Sequence, residues 1–163
     1  MTIEKSEINR GDMLALPDYF KPTYMFNARL NLLSSHDVPL LNRTRVRLHL
    51  GTAEIICRII LLEKNELLPG ESTFVQFRLE APTVAEVGER YVVRSFSPMR
   101  TIGGGIIVEV HPQKLKWLLE SEFERLSLLE QANPVDLVEQ HLLKSPCQLF
   151  PVSGLAKELS FTR

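Results

Sequence analysis

Two stretches of the chain carry residues whose types and spacing could do chemistry. Residues 94–110 read RSFSPMRTIGGGIIVEV, two arginines around a proline-containing loop, then three glycines, then an apolar run. Residues 43–49 read RTRVRLH, which places Arg43, Arg45, Arg47 and His49 at every second position. No acidic residue lies between Asp37 and Glu54. Arginine holds phosphate through forked, charge-assisted hydrogen bonds. On a strand, residues i and i+2 lie about 6.6–7 Å apart on one face. That is close to the spacing of adjacent phosphates along one RNA strand. The same pattern also fits the solvated outer face of a half-buried strand. Both readings stay open on spacing alone.

The glycines do not form a phosphate loop. That motif needs G-x-x-x-x-G-K-[ST] opening a helix, and the dinucleotide fingerprint needs G-x-G-x-x-G. IGGGIIVEV has neither the lysine nor the third glycine in place, and a β-branched run follows it. Gly103, Gly104 and Gly105 are expected to form a structural corner or bulge within a β scaffold. No catalytic constellation appears. His36, His49, His111 and His141 are scattered, so no catalytic residue and no metal ligand is assigned.

The elements that must position these residues follow from periodicity. Val46, Leu48 and Leu50 alternate with Arg45, Arg47 and His49, and Val75, Phe77 and Leu79 alternate with Gln76, Arg78 and Glu80. MFNARLNLL, EIICRIILL, RYVVRSF and GIIVEV complete about six strands, separated by the turn signals HDVP, LGT, LPGE and EVGE. Several short strands at this spacing indicate a sandwich or barrel. After His111-Pro112 the period becomes helical. Leu115, Leu118, Leu119, Phe123, Leu126 and Leu129 form one stripe, which predicts a helix over 114–129. Asn133 and Pro134 predict a second helix over 134–143, and Ser153 caps a third. Helix, turn and helix in this order resemble a winged-helix domain cut before its recognition helix. The expected domains are therefore 1–110, a barrel, and 111–163, a helical extension.

Composition sets the class. The 163 residues are 44% hydrophobic and 24% charged with a net charge of −1, a globular balance without a global field for nucleic acid. An RNA role would need a local basic patch. Cys57 and Cys147 are too far apart in sequence to suggest a zinc motif and fit a reducing compartment. No signal-peptide pattern and no apolar run of about 18 residues is present, so a cytoplasmic protein without a membrane partner is expected.

The motifs resemble a known family. INRGDMLALP (8–17) is similar to the opening of the third domain of the elongation factor Tu class, LNRTRVRLHLGTAE (41–54) to its central strand, and YVVRSFSPMRTIGGGIIVEV (91–110) to its closing hairpin. The longer SFSPM loop, Gly-Gly-Gly in place of Gly-Ala-Gly, and the helices after the hairpin resemble the selenocysteine-specific elongation factors. The resemblance implies a mainly β fold: a six-stranded antiparallel β-barrel followed by a truncated, winged-helix-like segment. It implies a parent GTPase, with GTP and Mg bound in a G domain outside this chain and no cofactor within it. The implied partners are selenocysteinyl-tRNA, the ribosome, an mRNA hairpin gripped by downstream winged helices, and the parent's own G domain and second barrel. The family's tRNA-facing positions fall on Arg43, Arg45, Arg47, His49, Arg94, Ser97 and Arg100. A barrel that only docks protein domains and an unrelated small-molecule β-barrel are the alternatives.

Overall fold

The computed structural model describes residues 10–13, 15 and 20–131. The expected helices over 134–143 and after Ser153, Cys147, and most of the 8–17 motif lie outside the described residues. Contacts divide the chain into two compact units, 1–118 and 119–163.

The first unit is a closed barrel. Its strands are β1 (Thr23–Leu32), β3 (Arg45–Leu50), β4 (Ala53–Leu61), β6 (Ser72–Thr83), β7 (Arg90–Ser95) and β8 (Thr101–Val110). They close in the order β1-β6-β4-β3-β7-β8, every neighbouring pair antiparallel. This matches the expected six-stranded barrel. Closure removes the free strand edges that an open sheet would expose. A separate two-stranded ribbon, β2 (Leu40–Leu41) with β5 (Glu66–Leu67), was not legible, because two-residue strands carry no period.

Alternation builds the core. Phe26, Ala28 and Leu30 of β1, Val46 and Leu48 of β3, Cys57, Ile59 and Leu61 of β4, and Val75 and Phe77 of β6 are completely buried. Phe77 sits at the centre, 5.2 Å from the Phe26 ring and edge-on to the Tyr91 ring at 5.0 Å. Cys57 packs here as a small apolar residue, and burial pushes its thiol up to about 12. Between β3 and β4 the chain reverses in two residues, Gly51 and Thr52, with Leu50 opposite Ala53. Gly51 takes a φ of 52°, the left-handed conformation such tight hairpins require.

The glycines do not make the expected corner. Gly103, Gly104 and Gly105 lie inside β8, paired with Leu32, Asn31 and Leu30 of β1 on one side and with Val93, Val92 and Tyr91 of β7 on the other. The irregularity comes one residue earlier, at Ile102, where Val93 pairs with Gly103 but Arg94 pairs with Thr101. Their role is close approach. A Cβ on Gly105 would stand 1.8 Å from the Arg29 carbonyl oxygen, one on Gly103 2.5 Å from the Asn31 carbonyl, and one on Gly104 2.6 Å from the Tyr91 carbonyl. The space at Gly105 also admits the Tyr91 hydroxyl, which donates to the Arg29 carbonyl at 2.7 Å. Burial holds the Tyr91 phenol well above its ordinary pKa, so it remains a donor.

After β8 the chain does not enter a helix at Lys114. Residues 111–118 remain non-helical and are tied to the outer wall of the barrel. Gln76, fully buried, donates from Nε2 to the Asn27 side chain and the Gln113 carbonyl, and accepts at Oε1 from the Leu115 amide. Asn27 in turn donates to Glu109 at 2.7 Å. Arg78 donates to the Leu115 carbonyl at 2.6 Å, and the Leu118 amide to the Leu62 carbonyl at 2.7 Å. These bonds take backbone groups that an α-helix starting at 114 would need for itself. The helix of the second unit, α1, accordingly runs Glu120–Gln131 with Leu126 buried.

Two outcomes follow from this packing. Gly105→Ala should destabilise the chain by ~3 kcal/mol or more, because a methyl cannot share the space of the Arg29 carbonyl; an unchanged thermal melt would contradict the close approach. Tyr91→Phe should cost about 1–3 kcal/mol by leaving a buried carbonyl without its donor, read as a lower melting temperature with unchanged far-UV circular dichroism.

Candidate RNA-phosphate surface

Strand alternation turns Arg45, Arg47 and His49 outward while Val46, Leu48 and Leu50 point into the barrel, as the sequence predicts. The neighbouring strands extend the basic face. Arg47 pairs in register with Arg94 of β7, and Arg45 with Arg58 of β4, which itself pairs with Arg78 of β6. Arg58 and Arg78 were not singled out from sequence. Arg58 is flanked by Cys57 and Ile59 and Arg78 by Phe77 and Leu79, and only the register joins the two arginines into a row.

The row is not bare positive charge. Glu80 of β6 accepts two bonds from Arg45, to Nε at 2.9 Å and Nη2 at 2.7 Å. Glu54 of β4 pairs with Arg47, and His49 Nε2 is 4.0 Å from the same carboxylate. The bond from Arg45 holds the Glu80 carboxyl below its ordinary pKa, and the bond from Arg47 does the same for Glu54. The acid-free window along the chain is thus balanced across the sheet by carboxylates from other strands.

The loop between β7 and β8 completes the surface. Arg100 N donates to Ser95 Oγ at 3.1 Å, Ser95 N donates to the Arg100 carbonyl at 2.8 Å, and Ser95 Oγ also bonds the Pro98 carbonyl. This closes the loop on itself and aims Phe96 back at β3. The Arg45 guanidinium lies 4.6 Å from the Phe96 ring centroid and the Arg47 guanidinium 5.1 Å. Both are within cation–π range. Phe96 was visible in sequence only as part of a loop, with nothing to show that it meets the arginine strand.

The predicted residues gather unevenly. Arg45, Arg47, His49 and Arg94 share the β3–β7 face. Arg94 donates from Nη2 to the Met99 carbonyl at 3.4 Å, which ties it to the loop. Ser97 is exposed in that loop. Arg100 is 75% exposed, with Asp37 no nearer than 4.0 Å. Arg43 stands apart in the turn before β3, at a φ of 67°. Its amide donates to the Ile59 carbonyl of β4 at 2.8 Å, and its charge adds to burial in lowering the Arg78 pKa. Three side-chain nitrogens on the face, Arg47 Nε, His49 Nε2 and Arg94 Nε, are shielded from solvent and make no hydrogen bond. Buried donors without acceptors are uncommon and call for an explanation. Two guanidinium groups on directly opposed residues also repel one another.

Among the described residues no group of His, Cys, Asp and Glu could hold a metal, and no helix is long and apolar enough to cross a membrane. The glycine amides of β8 face neighbouring strands, so the GGG run offers no cradle for a nucleotide.

The family model described as "Selenocysteine-specific elongation factor, beta-barrel domain" matches residues 27–114. That span runs from within β1 into the start of the strap that Gln76 holds. A selenocysteine-specific elongation factor of Desulfomicrobium baculatum is 35% identical over 136 residues, covering 83% of this chain and 21% of that protein. The chain therefore spans about a fifth of the length of the curated relative it matches. The barrel and these matches agree: the chain belongs to the selenocysteine-specific elongation factor family, as its β-barrel domain.

Proposed function

We propose that this barrel holds the acceptor and T-stem side of selenocysteinyl-tRNA within a longer translation factor, with RNA phosphates on the β3–β7 face. The observation that carries the reading is the set of three solvent-shielded nitrogens, Arg47 Nε, His49 Nε2 and Arg94 Nε, that make no hydrogen bond within the protein. Small rotations of these side chains would bring the donors to an anion. Arg100, exposed at the end of the same loop and paired only at 4.0 Å with the exposed Asp37, adds a cation that a phosphate can reach. Such contacts position RNA without reading its bases. On this reading GTP and Mg belong to a G domain elsewhere in the factor, and delivery to the ribosome, an mRNA-hairpin grip by downstream winged helices and a cytoplasmic location belong to the whole protein. Docking on the G domain and second barrel is a second role of the same module. The exposed Leu41 of β2 and Leu68, next after β5, suit it.

The test is a salt titration of the 163-residue chain with a selenocysteine-tRNA transcript. Arg100→Ala should weaken binding by about 1–3 kcal/mol and flatten the salt dependence by roughly one phosphate contact, with the melting temperature nearly unchanged. An intact salt slope with a sharply lower melting temperature would make Arg100 structural. Absent or salt-independent binding would favour a purely protein-docking barrel.

Glu80 competes with phosphate for Arg45 on this account. Glu80→Gln should therefore tighten binding of the same transcript by about twofold to fivefold, in line with the modest worth of a surface ion pair. Weaker binding in that variant would mean that Glu80 orients Arg45 for RNA rather than competing for it.

A further inference from the structure

Phe96 is a large apolar residue at the surface, 37% exposed, in a loop that continues Ser-Pro-Met-Arg. Its ring does not enter the barrel core. It is spent instead on two cations. Arg45 and Arg47 occupy successive outward positions of β3, and both guanidinium groups rest within about 5 Å of the one ring centroid. Glu80 and Glu54 hold the two arginines through their other donors. Each guanidinium is thus fixed between a carboxylate and a shared aromatic ring. The loop that carries the ring is itself fixed by Ser95, whose amide and hydroxyl bond across it to Arg100 and Pro98.

A long arginine side chain free in solvent loses rotamer entropy when it binds an anion. Two such chains at neighbouring positions also repel each other. The ring offsets both costs. Its negative face attracts the guanidinium groups, and its bulk sets where they lie. Carboxylates alone would not do this. They come from β4 and β6, and they would be exchanged for phosphates on binding. The ring can stay in contact throughout.

On this basis, and resting on the RNA reading above, we infer that Phe96 is a positioning residue. It holds Arg45 and Arg47 at a fixed spacing so that they meet two consecutive phosphates of one RNA strand. Phe96 acts through the arginines and needs no contact with the RNA itself.

The experiment uses the 163-residue chain with three variants at Phe96 and a selenocysteine-tRNA transcript as the probe. Phe96→Leu and Phe96→Ala should weaken binding by roughly 5- to 30-fold at fixed salt, the loss expected from two cation–π contacts. The salt slope should stay the same, because the number of phosphates neutralised does not change. Phe96→Tyr should restore affinity to within about twofold, since the ring is kept. In the free chain, the Arg45 and Arg47 Nε–Hε resonances should lose their ring-current shifts in Phe96→Leu and keep them in Phe96→Tyr.

Wild-type affinity in Phe96→Leu would overturn the inference. So would weakened RNA binding in that variant with both arginine resonances unmoved, since the ring would then act on the RNA directly. Arg45→Ala and Arg47→Ala separate the two levels of the account. If they weaken binding and the Phe96 variants do not, only the positioning role fails. If they leave binding unchanged, the RNA reading fails and the positioning role with it.

Discussion

The structure depends on the closeness of β8 to β1 and β7. Three successive positions on β8 can carry no side chain, because carbonyl oxygens of Arg29, Asn31 and Tyr91 already occupy the space. That contact closes the barrel, and closure fixes β7 between β3 and β8. From there the consequences run outward. β7 sets Arg94 opposite Arg47, and the β7–β8 loop has one place to go, over the outer face of β3. The glycine run, which matches no phosphate-loop motif, thus acts through the fold. It closes the wall on which the arginines stand.

Charge on a barrel is organised across strands rather than along them. Arg45 and Glu80 are separated by 35 residues in the chain and share a bidentate ion pair in space. The face is therefore neither a plain solvated surface nor a bare cationic strip. It is a set of arginines held outward by carboxylates and an aromatic ring, with several donors left unmatched. Exposed ion pairs of this kind add little to stability, so their significance lies in orientation. They keep long side chains ordered at a modest cost that a stronger anion can reverse.

Much of the barrel was legible because a half-buried strand writes its two faces into alternating residues. Val46, Leu48 and Leu50 against Arg45, Arg47 and His49 is such a case, and the inward and outward assignment holds at every one of these positions. The strap at 111–118 was not legible. Leu115, Leu118 and Leu119 fit a helical stripe, but Gln76 and Arg78 capture the backbone first, and these partners lie 37 to 39 residues away. The glycine run was half legible: its need for small residues showed, but the partners that impose it, on β1 and β7, did not. The candidate surface behaved likewise. Its arginines were visible from type and spacing, whereas Glu54, Glu80, Arg58 and the aim of Phe96 required the register.

The central claim is that the β3–β7 face receives RNA phosphates, and the most direct measurement is of the arginine side chains themselves. Nε–Hε resonances of the 163-residue chain, followed as a selenocysteine-tRNA transcript is added, report each guanidinium separately. The account predicts that Arg47 and Arg94, whose Nε groups have no protein acceptor, shift first and furthest, with Arg45 and Arg100 following, while Arg29 on β1 stays in place. Shifts confined to Arg29, with Arg47 and Arg94 unmoved at saturation, would put the RNA on another wall of the barrel and contradict it.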